Sequence, residues 1–136
     1  MNKINITCII DDDPIYQHLI NKMMIKTDFS KSYIFYKNGK EALKGIKQRL
    51  ENNSTIPDVI LLDINMPVMD GWQFLDEVAK INTYEHIKIL VISSSIDPRD
   101  IEKAKKNKLV IDYVLKPISL SKIKHIQDTL LNKTLS

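Results

Sequence analysis

Short apolar segments rich in β-branched residues recur along the chain and are separated by longer polar intervals. Five of them stand out, at residues 4–10, 33–36, 59–62, 87–92 and 111–115. Polar residues almost never interrupt the third and fourth segments, a pattern typical of strands buried on both faces of a parallel sheet. The pattern predicts five strands, with the third and fourth inside the sheet.

The intervals between these strands carry helix-start signals followed by apolar residues at helical spacing. Asp13 is placed to cap a first helix that has Pro14 at its first position, and Ile15, Leu19 and Met23 then repeat every four residues. Comparable starts lie at Asn38 (a capping-box pattern with Glu41), Asp70, Asp97 and Ser119. Five strands alternating with five helices predict one α/β domain over residues 1–136, in which residues 131–136 are expected to fray.

Length, composition and charge describe an ordinary globular chain. Its 136 residues are enough for one domain, with 43% apolar and 27% charged residues. The single cysteine, Cys8, cannot form an internal disulfide, and the first apolar run is too short for a signal peptide or a membrane span, so we expect a cytoplasmic protein. The net charge is +3, and the basic residues, densest over 99–108, are typical of a solvated helix face. We therefore expect neither a nucleic-acid nor a membrane partner.

Polar residues that can carry chemistry follow four of the five predicted strands. They are Asp11, Asp12 and Asp13 after the first strand, Asp63 after the third, Ser93 after the fourth and Lys116 after the fifth. The second strand ends in Lys-Asn-Gly at residues 37–39, without a carboxylate or a hydroxyl. This omission favours an edge position for that strand, as in a flavodoxin-like, doubly wound sheet of order 2-1-3-4-5. Because the carboxyl ends of parallel strands share one edge, the four sets are predicted to meet.

Several carboxylates in one cleft repel each other unless a cation lies between them or one of them is protonated. A hard divalent ion such as Mg²⁺ takes oxygen ligands of this kind. With the Lys116 ammonium and the Ser93 hydroxyl nearby, such a site suits phosphoryl transfer, in which a carboxylate can itself be the nucleophile. Taken singly, each of these residues is more often a helix cap, a turn former or a solvated loop residue. Their occurrence at the same end of four strands favours the chemical interpretation.

Four stretches resemble, in order and spacing, the receiver domains of two-component response regulators. They are CIIDDDP at residues 8–14, DVILLDINMPVMDG at 58–71, VISS at 91–94 and YVLKP at 113–117. The resemblance covers essentially residues 4–133 and is to the single-domain type found in chemotaxis. It implies a phosphoprotein of a two-component or phosphorelay system whose partner surface, formed by helix 4, strand 5 and helix 5, switches on phosphorylation. The protein would not be an enzyme beyond self-phosphorylation from small phosphodonors and autodephosphorylation.

The resemblance also implies which residues hold the metal and the phosphoryl group. Asp63 would be the phosphoacceptor. Asp12, Asp63 and the main-chain carbonyl of Asn65 would bind Mg²⁺ directly, with Mn²⁺ as a possible substitute, and Asp11 would hold a metal-bound water. The positions that tune hydrolysis of the phosphoryl group in this family are Asn65 and Ser95 here, and neither carries a charge. The lifetime of the phosphoryl group is left open.

Three further residues would respond to the phosphoryl group. Ser93 would donate a hydrogen bond to it, Lys116 would pair with it, and Tyr113 would be the aromatic residue that turns inward in the active state. The bond between Lys116 and Pro117 would be cis, an isomer that proline makes accessible at about 0.5–1 kcal/mol.

The resemblance implies a histidine kinase or a histidine phosphotransfer protein as phosphodonor and an unidentified protein target, on which the chain, as a monomer or weak dimer, acts in trans. Two alternatives stay open. A phosphate-independent pseudo-receiver would be a binding module, although such proteins usually lack part of the acidic set or the lysine. An aspartyl-phosphate phosphatase of the haloacid-dehalogenase type has a second aspartate two residues after the nucleophile, where this chain has Asn65.

Overall fold

A computed structural model describes residues 3–66, 68–81 and 86–135, the side chains of 132–135 excepted. Its strands are β1 (Ile4–Ile10), β2 (Ser30–Tyr36), β3 (Val59–Leu62), β4 (Lys88–Ser93) and β5 (Val110–Leu115). They form one parallel sheet in the order β2-β1-β3-β4-β5. The predicted α/β class, the strand order and the edge position of β2 are confirmed.

The observed strands differ from the predicted ones mainly at their first residues. β2 begins at Ser30 rather than at residue 33, β4 runs over 88–93 rather than 87–92, and β5 begins at Val110 rather than at residue 111. The extension of β2 has a clear cause, since Ser30 pairs with Ile4 and Ser32 with Ile6 of β1. Ladder hydrogen bonds use the main chain, so a neighbouring strand can extend β2 through polar residues that an apolar pattern excludes.

Five helices connect and follow the strands. They are α1 (Pro14–Lys26), α2 (Gly39–Glu51), α3 (Gly71–Val78), α4 (Pro98–Lys106) and α5 (Leu120–Leu135). Helix α5 runs through most of the segment expected to fray, while Ser136 lies outside the described residues, so fraying stays a prediction. In the described part of the chain, no helix is both long enough and apolar enough to cross a membrane.

The predicted caps are found at the helix starts. Asp13, Asn38, Asp70 and Asp97 each accept a hydrogen bond from a main-chain amide of the first turn, and Ser119 Oγ accepts one from the Lys122 amide at 3.1 Å. The reciprocal capping box occurs at Asp70 and Gln73. At Asn38, within the described residues, only the half in which Asn38 accepts from the Glu41 amide is formed.

Helices cover both faces of the sheet, as in a doubly wound fold. Helices α1 and α5 pack on one face, with a core that includes Ile20, Met24, Ile123, Ile126, Ile9 and Leu61. Helices α2 and α3 pack on the other, with Ala42, Ile46, Phe74, Cys8, Ile60 and Leu62. Neighbours such as Ile60 and Leu61 point to opposite faces because side chains alternate along a strand. Burial of each large apolar side chain stabilises the fold by about 1.5–3 kcal/mol. This packing on both faces holds the strand ends in fixed relative positions.

The predicted apolar stripe of α1 is wrong at Ile15 and Leu19, whereas its third residue, Met23, is half-buried and packs against the core. The residues of α1 that enter the core are Ile20 and Met24, whereas the predicted Ile15 and Leu19 are 80% and 46% exposed. The helix carries a second set of residues with the same four-residue spacing, beginning at Tyr16. Spacing defines the period of an apolar stripe but does not choose between two stripes of equal period.

Candidate functional site

The four sets of polar residues predicted to meet all lie at the carboxyl edge of the sheet. Asp11 follows β1, Asp63 follows β3, Ser93 ends β4 and Lys116 follows β5. Lys116 Nζ lies 2.8 Å from Asp11 Oδ2 and 3.6 Å from Asp63 Oδ2. Asp11, Asp63 and Ser93 are buried, although most of the core around them is apolar. The site is therefore a polar pocket set into the end of the sheet.

Three carboxylates form the acidic part of this pocket. Oxygen atoms of Asp11, Asp12 and Asp63 all lie within 4.8 Å of one another, with Asp12 exposed and the other two buried. An all-oxygen donor set of this size suits a hard divalent cation such as Mg²⁺. Asn65 lies beside the cluster, and its amide donates a hydrogen bond to Asp63 Oδ1 at 3.1 Å. Three carboxylates facing one lysine leave an excess of negative charge that such a cation would neutralise.

The carboxylate of Asp11 is held from two sides. Its Oδ1 accepts a hydrogen bond from the Asp13 amide at 2.9 Å, and its Oδ2 accepts one from Lys116. Gln17 supports the main chain beneath it, since Gln17 Nε2 donates to the carbonyl oxygens of Asp11 and Tyr36 at 2.7 and 2.9 Å. Gln17 thus ties the end of β1 to the end of β2, a role that the sequence analysis missed.

Burial and charge act in opposite directions on Asp63. Burial raises the pKa of its carboxyl above the ordinary aspartate value, the Asn65 amide and Lys116 lower it, and Asp11 and Asp12 raise it again. The net effect is a raised pKa. Ionisation of Asp63 therefore costs free energy, because the Asn65 amide and the Lys116 ammonium replace only part of the stabilisation that water gives an exposed carboxylate.

Lys116 carries the positive charge of the pocket. Burial lowers the pKa of its ammonium, but the hydrogen bond to Asp11 and the charges of Asp63 and Asp11 outweigh burial, so that the pKa is raised. The ammonium stays protonated and lies over the ring of Tyr16, 4.3 Å from its centroid. The peptide bond between Lys116 and Pro117 is cis, the isomer that the resemblance implies.

The loop between Asp63 and α3 is shaped by a close approach of the main chain. A Cβ atom on Gly71 would lie 2.6 Å from Ile64 Cα and 2.9 Å from the Asp63 carbonyl oxygen, and the Gly71 amide donates to the Ile64 carbonyl at 3.1 Å. Only glycine allows α3 to begin this close to the acidic residue. The same loop holds Val68 at a φ of 74°, in the left-handed region that β-branched residues avoid.

The loop between β4 and α4 is joined to both neighbouring elements through Ser95. The Ser95 amide donates to Ser93 Oγ at 3.0 Å, and Ser95 Oγ donates to Asp100 Oδ2 at 2.6 Å. The half-buried Tyr113 of β5 donates its hydroxyl hydrogen to the Ser95 carbonyl at 2.8 Å. Ser95 thus connects the end of β4 with α4 and β5, and its hydroxyl is engaged with α4.

The structure brings Asp11, Asp12, Asp63 and Lys116 together in one pocket. Ser93 ends the strand beside β3, and Tyr113 contacts the same loop as Ser93 from β5. Sequence reasoning assigned no role to Tyr16, Gln17 and Asp100, and none to Gly71 beyond its place in the stretch at residues 58–71. Of these, only Gly71 had a usable signal, a glycine at the start of a predicted helix just after a cap.

Comparisons with known proteins agree with this geometry. The family model described as the response regulator receiver domain matches residues 7–128. A protein-glutamate methylesterase/protein-glutamine glutaminase of Methanococcoides burtonii is 31% identical over 128 residues, covering 93% of this chain and 34% of that protein. A response regulatory protein of Staphylococcus epidermidis is 30% identical over 128 residues, covering 93% and 47%. The chain spans less than half the length of these two relatives.

Solved structures share the fold over nearly the whole chain. A two-component response regulator from Cytophaga hutchinsonii has a TM-score of 0.86 at 28% identity, covering 96% of this chain and 98% of that one. The phosphorylated cyanobacterial phytochrome response regulator RcpA has a TM-score of 0.77 at 27% identity, covering 98% and 95%. Fold, acidic pocket and family model agree, and the chain belongs to the response regulator receiver domain family.

Proposed function

We propose that the protein is a phosphoacceptor of a two-component or phosphorelay system, located in the cytoplasm, that acts in trans on a partner protein. One observation carries the proposal. The buried Asp63 lies 3.6 Å from the Lys116 ammonium and within 4.8 Å of Asp11 and Asp12, so that one pocket contains three carboxylates and an ammonium. A histidine kinase or a histidine phosphotransfer protein is the expected phosphodonor.

The proposed reaction transfers a phosphoryl group to a carboxylate oxygen of Asp63. A bond forms between that oxygen and phosphorus while the bond from phosphorus to the donor's imidazole nitrogen breaks. The imidazole leaves with the electron pair, and no base is needed because an ionised carboxylate has no proton to lose. Lys116 neutralises charge on the phosphoryl oxygens, since the barrier to such transfers depends mainly on positioning and charge. We propose no turnover beyond this step and hydrolysis of the product.

Four residues are proposed to hold a magnesium ion. Asp12, Asp63 and the main-chain carbonyl of Asn65 would bind it directly, and Asp11 through a water, with Mn²⁺ as a substitute. When bound, the ion would neutralise charge on the phosphoryl oxygens during transfer. The donor set supports this, because three carboxylates with oxygens within 4.8 Å of one another are costly to keep ionised without a cation.

We propose that the loop after β4 is the switch. A phosphoryl group on Asp63 would attract the hydroxyl of Ser93, whose oxygen now accepts a hydrogen bond from the Ser95 amide. A shift of Ser95 would in turn release Tyr113, whose hydroxyl is bonded to the Ser95 carbonyl. The surface affected includes a groove of about 400 Å³ between α4 and β5, next to the exposed side chains of Ile111 and Leu115. A local change of charge would thereby alter the affinity for a partner.

Exposed apolar side chains from loops and helix starts at the carboxyl edge of the sheet support docking of a protein phosphodonor. Ile15 follows the acidic triplet and is 80% exposed, Val68 is 74% exposed in the loop before α3, and Ile96 is 76% exposed in the loop before α4. Exposed apolar patches are typical of protein–protein interaction sites. We propose that the phosphohistidine-bearing protein binds there.

Phosphorylation with a small donor tests the proposal without a known kinase. The purified chain is incubated with acetyl phosphate and MgCl₂, and intact mass spectrometry is expected to show one added phosphoryl group that hydroxylamine removes, as for an acyl phosphate. The Asp63→Asn variant is expected to stay unlabelled, and label on that variant would show that another residue is the nucleophile. A panel of histidine kinases then identifies the donor by its transfer rate.

Measurements of Mg²⁺ binding and of phosphate release from a phosphomonoester, beside the labelling experiment, separate the two alternatives. A chain that neither binds Mg²⁺ nor accepts a phosphoryl group would be a phosphate-independent binding module. Continuous release of phosphate from a phosphomonoester would instead indicate a phosphatase of the haloacid-dehalogenase type.

A further inference from the structure

Tyr16, in the first turn of α1, has no role in the chemistry described above, yet it contacts the central cation. The Lys116 ammonium lies 4.3 Å from the centroid of its ring. The ring packs against the core formed by α1, α5 and the sheet. It is therefore supported from behind and presents one face to Lys116.

The hydroxyl of Tyr16 has an unusual environment. It is shielded from solvent and, among the described residues, has no hydrogen-bond partner. Burial is the main cause of a net rise in the pKa of the hydroxyl. The nearby main chain of Ile118 lowers this pKa, although it does not meet the geometry of a hydrogen bond. The hydroxyl thus stays neutral and does not compete with Asp11 or Asp63 for the lysine. A buried, unpaired hydroxyl is destabilising, whereas the ring makes the contact with Lys116. The effects of the hydroxyl and of the ring can therefore be tested separately.

The contacts of Lys116 show what the ring can contribute. Its ammonium has three N–H donors, and within the described part of the chain one of them is engaged, by Asp11 at 2.8 Å. Asp63 at 3.6 Å is beyond hydrogen-bond distance. An aromatic face attracts a cation but is a far weaker acceptor than a carbonyl or a carboxylate. The ring therefore limits the motion of the flexible lysine without consuming its remaining donors.

We propose that Tyr16 is a positioning residue for phosphoryl transfer, whose ring holds the Lys116 ammonium between Asp11 and Asp63 with its free N–H groups available to the incoming phosphoryl oxygens. The proposal rests on the proposed phosphorylation of Asp63 and names a residue that sets its rate. Because the contact is to the cation and not to the donor, its effect is independent of which phosphodonor is used.

Two variants separate the ring from the hydroxyl. Tyr16→Phe keeps the ring, and Tyr16→Leu keeps an apolar side chain without it. With acetyl phosphate and MgCl₂, the Phe variant is expected to label as fast as the wild type, whereas the Leu variant is expected to label roughly tenfold more slowly at saturating donor. The half-saturating donor concentration is expected to be unchanged, because the ring acts on Lys116 during transfer. Ile25→Ala, at an exposed position near the other end of α1, is the matched control.

An NMR measurement reports the contact independently of activity. The Lys116 side-chain methylene protons next to the ammonium are expected to show an upfield ring-current shift that the Phe variant keeps and the Leu variant loses. If thermal melting shows that the Leu variant does not fold, Tyr16→Met replaces it. Equal rates for the Leu variant and the wild type would overturn the proposal, as would equal losses in the Phe and Leu variants. A wild type that keeps the ring-current shift but takes no label would instead overturn the proposed phosphorylation.

Discussion

Asp63 is a buried carboxylate, and its ionisation affects the stability of the folded protein. Its pKa is raised in the folded protein, chiefly by burial, so the folded state binds a proton more readily than the unfolded chain does. Stability therefore falls as the pH rises from the ordinary aspartate pKa through the raised pKa of Asp63, and the full cost is present above both. At neutral pH the unphosphorylated, metal-free protein bears this cost.

Replacing Asp63 with asparagine is expected to stabilise the metal-free protein at neutral pH by about 1 kcal/mol, because a neutral amide of the same shape avoids the cost of a buried charge. The gain should vanish below the ordinary aspartate pKa. Urea denaturation in EDTA at several pH values measures it. Asp76→Asn, on the exposed side of α3, serves as the control and is expected to change little. A loss of stability at neutral pH in the Asp63→Asn variant would contradict the argument.

Val68 is strained by its main-chain conformation. Its φ is 74°, and a non-glycine residue in a sparsely populated region costs about 1–3 kcal/mol, whereas glycine loses about 0.5–1 kcal/mol of conformational entropy. Since the side chain is 74% exposed, little burial is lost with it. Val68→Gly is therefore expected to gain about 1 kcal/mol in chemical denaturation, and Val68→Ala less, because alanine keeps a Cβ atom. A destabilised glycine variant would show that this side chain makes a contact that offsets the strain.

Among single residues, the sequence predicted those with a charged side chain at a recognisable position, directly after a strand. Asp11, Asp12, Asp63 and Lys116 each follow an apolar strand, and parallel strands bring such positions to one edge. Tyr16 had no such signal. Its partner Lys116 lies 100 positions further along the chain (116 − 16), and only the packed fold places the ring beneath the ammonium.

The loop between β3 and α3 carries Asp63 and ends at Gly71, where α3 begins. A Cβ on Gly71 would meet the Ile64 side chain and also two main-chain atoms, Ile64 Cα at 2.6 Å and the Asp63 carbonyl oxygen at 2.9 Å, so side-chain rotation alone cannot relieve the clash. Either α3 must move outwards or the loop that carries Asp63 must shift. The positions of α3 and Asp63 are therefore coupled through a single glycine.

Gly71→Ala is expected to destabilise the protein by about 1–3 kcal/mol, the usual cost of overpacking, and to slow labelling by acetyl phosphate. Gly45→Ala is a matched control, because the atoms that its Cβ would meet belong to the end of the Tyr36 side chain, which can rotate away. That variant should label at the wild-type rate. Normal labelling and stability in Gly71→Ala would show that the loop adapts without moving Asp63.

Helices illustrate what sequence patterns leave undetermined. Caps at Asp13, Asp70 and Asp97 were predictable because capping depends on a few neighbouring residues. The buried face of α1 was not, since the sets that begin at Ile15 and at Tyr16 have the same period. Packing against α5 and the sheet decides between them, and that choice leaves Ile15 exposed and turns Tyr16 towards Lys116.

The net charge of the whole molecule is opposite in sign to the local charge of the acidic pocket. The chain carries a net charge of +3, yet the doubly wound sheet gathers three carboxylates around one lysine at its carboxyl edge. A protein with a positive net charge has little tendency to attract cations non-specifically. Any stabilisation by a divalent cation should therefore come from this pocket.

Magnesium is expected to raise the thermal stability of the wild type, because a ligand that binds only the folded state stabilises it by RT ln(1 + [L]/Kd), about 2.7 kcal/mol at a concentration of 100 times Kd. The rise in Tm, several degrees for a domain of this size, should shrink as the pH falls, since a protonated Asp63 does not bind the ion. Asp12→Asn and Asp63→Asn should each lose most of the rise, and KCl at equal ionic strength should not reproduce it. The same rise in both variants would place the cation elsewhere and remove the link between this pocket and phosphoryl transfer.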